Sequence, residues 1–523
     1  MGEQRMKQEL KHKIGQMISA GFPSPVVDEQ AIRLAEEYHV GNFYLFARNI
    51  VSVDQTCALC EGLHALAMRT SGVAPFIGID QEGGAVSRIV EGASLFPGEM
   101  ALAACTEPDT WQVGRNCAQV LRSMGITSPS SPVLDVNSEP LNPIIGARAY
   151  CDDPERVAKL GTAMALGLQS GGAVATVKHF PGHGNVKSDS HLGIPVNDTP
   201  LEELERTEWY PFRKAFEAGA DALMTAHVRY TAVDDLPGTL SKKIMTDLLR
   251  GQMGFEGLAV TDCMEMDAVR ATYGCGEGAV MAVEAGCDML TFSHTLASAA
   301  EAVEALYAAV ESGRITEERI DASYNRIMRL KEKYGLLKPL EIDRARAHTL
   351  AADPQKNDLH RRLSRESMTL MWDRGGLEAF RKARRPLFLA PPSLSLTGAE
   401  DREVNPLSFV KIAVQEFDGS AVTLPLNCFD DTVQAQIDQA DFDVAVMCLY
   451  NARFRSGQVE TLRYLEKLGR PLVVIMLGAP YDTGLVHRAD ALVAAYEYTN
   501  LSVPALIDAL KTGTFAGRLP VRL

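Results

Sequence analysis

Three of the chain's eleven histidines fall within residues 178–191, KHFPGHGNVKSDSH. His179 and His183 stand four apart, a spacing that on a helix would suit zinc. Pro181, Gly182 and Gly184 argue against a helix, so the segment reads as a strand end running into a glycine-rich loop, and no metal is expected. Asp189 and His191 are separated by one residue. On a turning loop such a carboxylate orients the imidazole and stabilises its protonated form, which prepares it for general acid/base work. A second segment, 257–267 (GLAVTDCMEMD), ends an apolar run on Asp262. A carboxylate fixed at a strand end serves as nucleophile, base or metal ligand. A third, 78–88 (GIDQEGGAVSR), ends a run on Asp80, and its Gly83–Gly84 pair permits a sharp turn. No Gly-Lys-Ser/Thr follows, so this is not a phosphate-cradling P-loop.

These residues need elements to hold them. Eight short apolar runs recur, at 16–22, 40–46, 75–80, 132–136, 173–180, 222–228, 257–262 and 289–292. Amphipathic helical stretches intervene, among them 29–38, 108–123, 154–169, 202–218, 242–251 and 276–285. Asp28 and Asp153 stand at N-cap positions, and Pro154 suits a first helical turn. Eight strand–helix units predict an α/β fold, a closed (β/α)8 TIM barrel over residues 1–340. Asp80, Lys178, His179, His227 and Asp262 fall at or near the C-terminal ends of these runs, the face where barrel catalysts collect. A polar stretch, 341–357, preceded by Pro339 and carrying Pro354, reads as an irregular linker. Residues 358–523 read as a smaller α/β sandwich domain. It opens on a helix at 358–370, with strand-like runs at 386–391, 443–450, 471–477 and 491–496 and helices at 430–439, 457–467 and 503–511. The last residues, RLPVRL, are a weak candidate for a final strand because of Pro520. Arg453 and Arg455 follow a predicted strand end, placed either to reach a substrate carboxylate or to sit in a solvated loop.

Composition narrows the class. The 523 residues are 46% hydrophobic and 23% charged, which is globular and long enough for a large core. A net charge of −15 disfavours nucleic-acid partners. No apolar run reaches membrane-spanning length, and the charged N-terminus shows no signal-peptide core. Ten unclustered cysteines read as reduced thiols of a cytoplasmic protein, and the lone Cys57/Cys60 pair reads as helix packing.

The motifs DQEGG, KHFPGHG…DSH and VTDxMxM, in this order, resemble those of family 3 glycoside hydrolases. More narrowly they resemble the bacterial β-N-acetylglucosaminidase branch that recycles peptidoglycan fragments. The likeness spans about residues 10–340, with weaker support from AYEYTNLSV and GRLPV in the second domain. It implies a retaining double displacement without a cofactor. Asp262 matches the nucleophile, His191 the acid/base and Asp189 its dyad partner. Asp80, Arg88, Arg148, Lys178 and His179 match positions that bind the terminal N-acetylglucosamine, and His227 matches a residue of the pocket floor. Against the chain's net charge of −15, the resemblance thus implies a pocket that concentrates Arg88, Arg148, Lys178 and three histidines and suits a polar or anionic sugar fragment. The implied substrate is a small oligosaccharide or muropeptide, bound by a monomer or homodimer. Ala85, Asn185, Cys263 and Ser293–His294 depart from the usual pattern and bear on the aglycone. A phosphorylase remains an alternative, since an imidazole acid/base leaves room for phosphate. A β-glucosidase and an inactive sugar-binding protein are the others.

Overall fold

A computed structural model describes residues 2–90, 95–187, 193–393, 408–425 and 428–523, with side chains from residue 7 onward. The barrel is built from β1 (Ile18–Ala20), β2 (Asn42–Leu45), β3 (Ile77–Ile79), β4 (Ser128–Pro129), β5 (Thr176–Phe180), β6 (Ala222–Thr225), β7 (Leu258–Cys263) and β8 (Met289–Phe292). All neighbours are parallel, and the ladder runs continuously from β4 through β3, β2, β1, β8, β7 and β6 to β5. The strands are almost wholly buried, as expected when helices cover the outside and side chains fill the inside. Helix starts follow the sequence signals: Asp28 accepts from the Ala31 N–H, and Asp153 caps the helix that Pro154 opens.

One expected strand is displaced. The run 132–136 is not a strand; β4 lies earlier and pairs with β3 at only two positions. Pro129 and Pro132 lack the N–H that a longer ladder would need. The run instead closes the barrel through a single bridge, Val133 against Lys178, and the Leu134 N–H donates to the Lys178 carbonyl. Glu99, buried, accepts the Val133 N–H at 2.8 Å and so steadies this seam.

The second sheet has six strands: β9 (Thr369–Asp373), β10 (Pro386–Ala390), β11 (Ser420–Thr423), β12 (Val444–Leu449), β13 (Leu472–Met476) and β14 (Ala491–Ala494). Their order is β9-β14-β13-β12-β10-β11, parallel except for antiparallel β9. Alternate residues feed two cores: Phe388, Val446, Ile475 and Val493 on one face, Leu389, Met447, Val474 and Leu492 on the other. Burial on both faces is why these strands read as unbroken apolar runs.

The stretch expected as an irregular linker is largely helical. Helix Arg344–Ala351 is capped by Asp343 and buries Ala347 and Ala351, four residues apart. Helix Pro354–Ser367 follows, capped by Asp353, and takes in most of the helix expected at 358–370. Short side chains on the buried face and arginines elsewhere hid this pattern behind a polar composition. No strand forms over 518–523; the tail crosses to the barrel, where Arg518 N donates to the Ala104 carbonyl and Arg522 N to Asp152.

Candidate active site

A cavity of about 450 Å3 opens at the C-terminal ends of the barrel strands. Of the sequence-predicted residues, Asp80, Arg88, Arg148, Lys178, His179 and Asp262 line it. Asp189 and His191 lie outside the described residues.

Five charged groups form an alternating row along one wall. Arg88 reaches Asp80 at 3.1 Å, Lys178 bridges Asp80 (2.7 Å) and Glu82 (2.6 Å), and Arg148 holds both oxygens of Glu82 at 2.8 Å. Tyr44 adds a hydroxyl to Asp80 at 2.9 Å. Burial alone would raise both carboxyls, but Lys178 and Arg88 hold Asp80, and Arg148 and Lys178 hold Glu82, well below the usual carboxylate range. Burial would likewise neutralise Lys178, yet the two carboxylates keep it charged, with its pKa raised. The row is thus a rigid set of ionised groups whose remaining lone pairs and N–H groups suit sugar hydroxyls.

Glu82 was not singled out from the sequence, although it sits in DQEGG; a glycine turn gives no strand-end signal. Asp135 was missed as well. It is fully buried, accepts His179 Nδ1 at 2.7 Å and the backbone N–H of His179 and His183 at 3.2 and 2.6 Å. Burial works against its charge, but His179 and the His183 N–H hold its carboxyl below the ordinary value. Asp135 therefore fixes the His179 ring with Nε2 on the side of Arg148, 3.5 Å away. The available signal was an Asp one residue before the end of the apolar run 132–136, near the pattern already recognised at Asp80 and Asp262. His183 also lines the cavity, and burial pushes its imidazole down to about 4, so it stays neutral near pH 7.

Asp262 is the fifth residue of β7, half-buried, and its Oδ1 accepts the Cys263 N–H at 2.7 Å. Cys263 beside it is a poor nucleophile, because burial and Glu265 push its thiol up to about 12. Glu265 is committed to backbone N–H groups of His294 (2.6 Å) and Thr295 (3.1 Å). His227 stands one layer behind the floor: its ring bonds Thr239 Oγ1 at 2.8 Å and the carbonyl of Cys263 at 3.0 Å, and it is not among the lining residues.

The described residues that precede Asp189 and His191 in the chain are held in place. Asn142 Nδ2 donates to the carbonyls of His183 (2.8 Å) and Gly184 (3.1 Å), and Asn185 reaches Thr199 at 2.8 Å. Gly184 packs directly on the backbone of Val136, where any side chain would collide.

The expectation of a basic pocket does not hold. Among the described residues five carboxylates line it (Asp80, Glu82, Asp262, Glu265, Asp267) against four cations (Arg88, Arg148, Lys178, Arg270). Pairing leaves a wall that is strongly polar and close to neutral, which fits an uncharged polyol better than an anion. Among the described residues no group of three or more His, Cys, Asp or Glu is arranged to hold a metal ion, and no helix is long and apolar enough to cross a membrane.

Comparison with known proteins agrees with this geometry. The family model described as "Glycosyl hydrolase family 3 N terminal domain" matches residues 9–330. A solved structure of a glycoside hydrolase family 3 β-N-acetylglucosaminidase from Paenibacillus sp. str. FPU-7 superposes with a TM-score of 0.90 at 36% identity, covering 98% of this chain and 99% of that one. Beta-hexosaminidase A of Pseudoalteromonas piscicida is 29% identical over 521 residues, 89% of this chain and 84% of its own. A beta-hexosaminidase of Thiobacillus denitrificans is 38% identical over 270 residues, 50% of this chain and 73% of its own.

Proposed function

This chain belongs to glycosyl hydrolase family 3, and on that premise we propose that it is a retaining exo-β-N-acetylglucosaminidase acting on peptidoglycan- or chitin-derived fragments. The observation that carries the reading is the Asp262 carboxylate, presented at the end of β7 into a cavity walled by the Asp80–Lys178–Glu82–Arg148 row. The names of its relatives, beta-hexosaminidases and a β-N-acetylglucosaminidase, support the choice of sugar.

In this reading the charged row, with Arg88 and His179, grips the hydroxyls of the terminal sugar. Asp262 attacks the anomeric carbon while protonated His191, oriented by Asp189, gives its proton to the departing oxygen. A covalent ester links the sugar to Asp262. His191, now neutral, takes a proton from water, whose oxygen attacks the anomeric carbon and frees Asp262. Two inversions give net retention. An imidazole acid avoids the repulsion that a second carboxylate beside Asp262 would bring. Ten cysteines, all free thiols, suit the reducing cytoplasm to which we assign this activity.

Release of p-nitrophenol from its β-N-acetylglucosaminide tests the reading. Turnover is expected, with no N-acetylglucosamine 1-phosphate formed when phosphate is added. No turnover of this glycoside, or a phosphorylated product, rejects it. Comparing muropeptides with chitobiose then assigns the aglycone. Asp135→Asn is expected to lower kcat/KM about 10- to 100-fold, because it replaces a charged partner of His179 Nδ1 with a neutral one. An unchanged kcat/KM would remove Asp135 from the site.

A further inference from the structure

The second domain turns its own ligand-prone edge onto the barrel. In parallel sheets the crevice beyond the C-terminal strand ends is the usual binding place. Here the segments leaving β12, β13 and β14 meet the barrel loops around a cavity of about 50 Å3, lined by Gly84, Gly98, Gly146, Arg453, Gly478 and Glu497 among others. This small cavity shares Glu82, Ile144 and Arg148 with the large one.

Glu497 is buried, and its Oε2 accepts the Gly98 N–H at 2.6 Å across 399 residues of sequence. The same oxygen lies against Gly84, where a Cβ would stand only 2.7 Å away, and Gly84 has a φ of +54°. Tyr496, just before it, holds a φ of +65°, a region that a bulky residue rarely enters, and its hydroxyl is tied to Thr369 Oγ1 at 2.7 Å. That fixed backbone aims Glu497 at the barrel. Two residues from Gly84 is Glu82. On the other side, Arg453 is held by Asp482 at 3.2 Å and packs near Gly146, two residues from Arg148. The Arg453 side chain, 8% exposed, is therefore not that of a solvated loop residue. Tyr481 completes the contact by accepting from Asn137 Nδ2 at 2.7 Å.

Both members of the Glu82–Arg148 pair thus hang on backbone that the second domain touches. We propose that the second domain is a brace for this sugar-binding wall and that Glu497 is its main positioning residue. The proposal rests on the reading that this wall binds the terminal sugar. It explains why the domain's strand ends are occupied by barrel backbone: their role is to hold another site in shape.

The test uses the full chain and p-nitrophenyl β-N-acetylglucosaminide. Glu497→Ala is expected to raise KM about tenfold with kcat within about twofold, since binding shared by ground and transition states is lost. Glu497→Gln keeps an oxygen for the Gly98 N–H and is expected to restore KM. If Glu497→Ala does not fold, Arg453→Met carries the same readout in the same direction. An unchanged KM in a folded variant overturns the brace, as does a loss confined to kcat. If the unaltered chain does not turn over the glycoside, the proposed function fails separately. Calorimetric affinity for N-acetylglucosamine then decides the brace: weaker in Glu497→Ala if it holds, equal if it does not.

Discussion

Asp262→Asn is expected to lower kcat for p-nitrophenyl β-N-acetylglucosaminide by about 10^4-fold or more, with the fold intact. Asparagine keeps the oxygen that accepts the Cys263 N–H, so the local backbone has no reason to move. What it removes is the anionic attack on the anomeric carbon. Among the described residues the other carboxylates of the cavity are committed elsewhere, Asp267 to Arg270 at 2.8 Å. Asp80 and Glu82 are neutralised by Lys178, Arg88 and Arg148, and Glu265 is spent on the His294 and Thr295 backbone. The Cys263 thiol is protonated far above neutral pH. Shortening to Asp262→Ala opens the same face to a small anion, and added azide is expected to restore turnover with an α-glycosyl azide as product. A kcat for Asp262→Asn within tenfold of the unaltered chain would show that another group attacks.

Lys178→Met is expected to cost about 3–5 kcal/mol of stability, read from urea unfolding at neutral pH, and to abolish sugar binding. Lys178 is one ammonium serving two carboxylates at 2.7 and 2.6 Å, and both it and Glu82 are almost fully buried. Removing it leaves Asp80 and Glu82 each with one guanidinium partner and faces them toward each other. The pH dependence sharpens the test. Asp80 and Glu82 have folded-state pKa values below their unfolded ones, so the stability they contribute is present above the normal carboxylate range and lost as pH falls below it. In Lys178→Met both carboxyls shift upward, so acid unfolding is expected to begin at a higher pH than in the unaltered chain. A variant that matches the unaltered chain in urea midpoint and acid onset would mean that the row is not a coupled unit.

How far these residues were legible depended on what kind of signal each left. Asp80, Lys178, His179 and Asp262 stood out because each polar group closes an apolar run, and the barrel places such positions on one face. Asp135 stands one residue before the end of such a run too, but the run begins at a proline and forms a single bridge rather than a strand, so its carboxylate carried no strand-end signal. Glu82 lies on a three-residue strand beside a glycine turn, and only the fold brings Arg148 and Lys178 onto it from 66 and 96 residues away. Arg88, Arg148 and Lys178 were recognised, but of their two carboxylate partners only Asp80 was, and missing Glu82 helped turn a nearly neutral wall into an expected basic one. The second sheet was readable from its doubly buried strands, whereas β9, half-buried and overlapped at its first two residues by the expected helix, and β11, largely exposed, short and polar, did not register. The helix at 344–351 shows the limit of composition: a buried face made of two alanines leaves no hydrophobic stripe to detect. The contact of Glu497 with Gly98 spans nearly the whole chain and has no local signature at all.

The central claim is that Asp262 becomes covalently bonded to the sugar. A fluorinated N-acetylglucosaminyl fluoride, which loads the nucleophile faster than water releases it, allows the adduct to be trapped and mapped by peptide mass spectrometry. The added sugar is expected on the peptide containing Asp262 and on no other. A label on a different carboxylate, or turnover of this reagent with inversion and no adduct, would contradict the account.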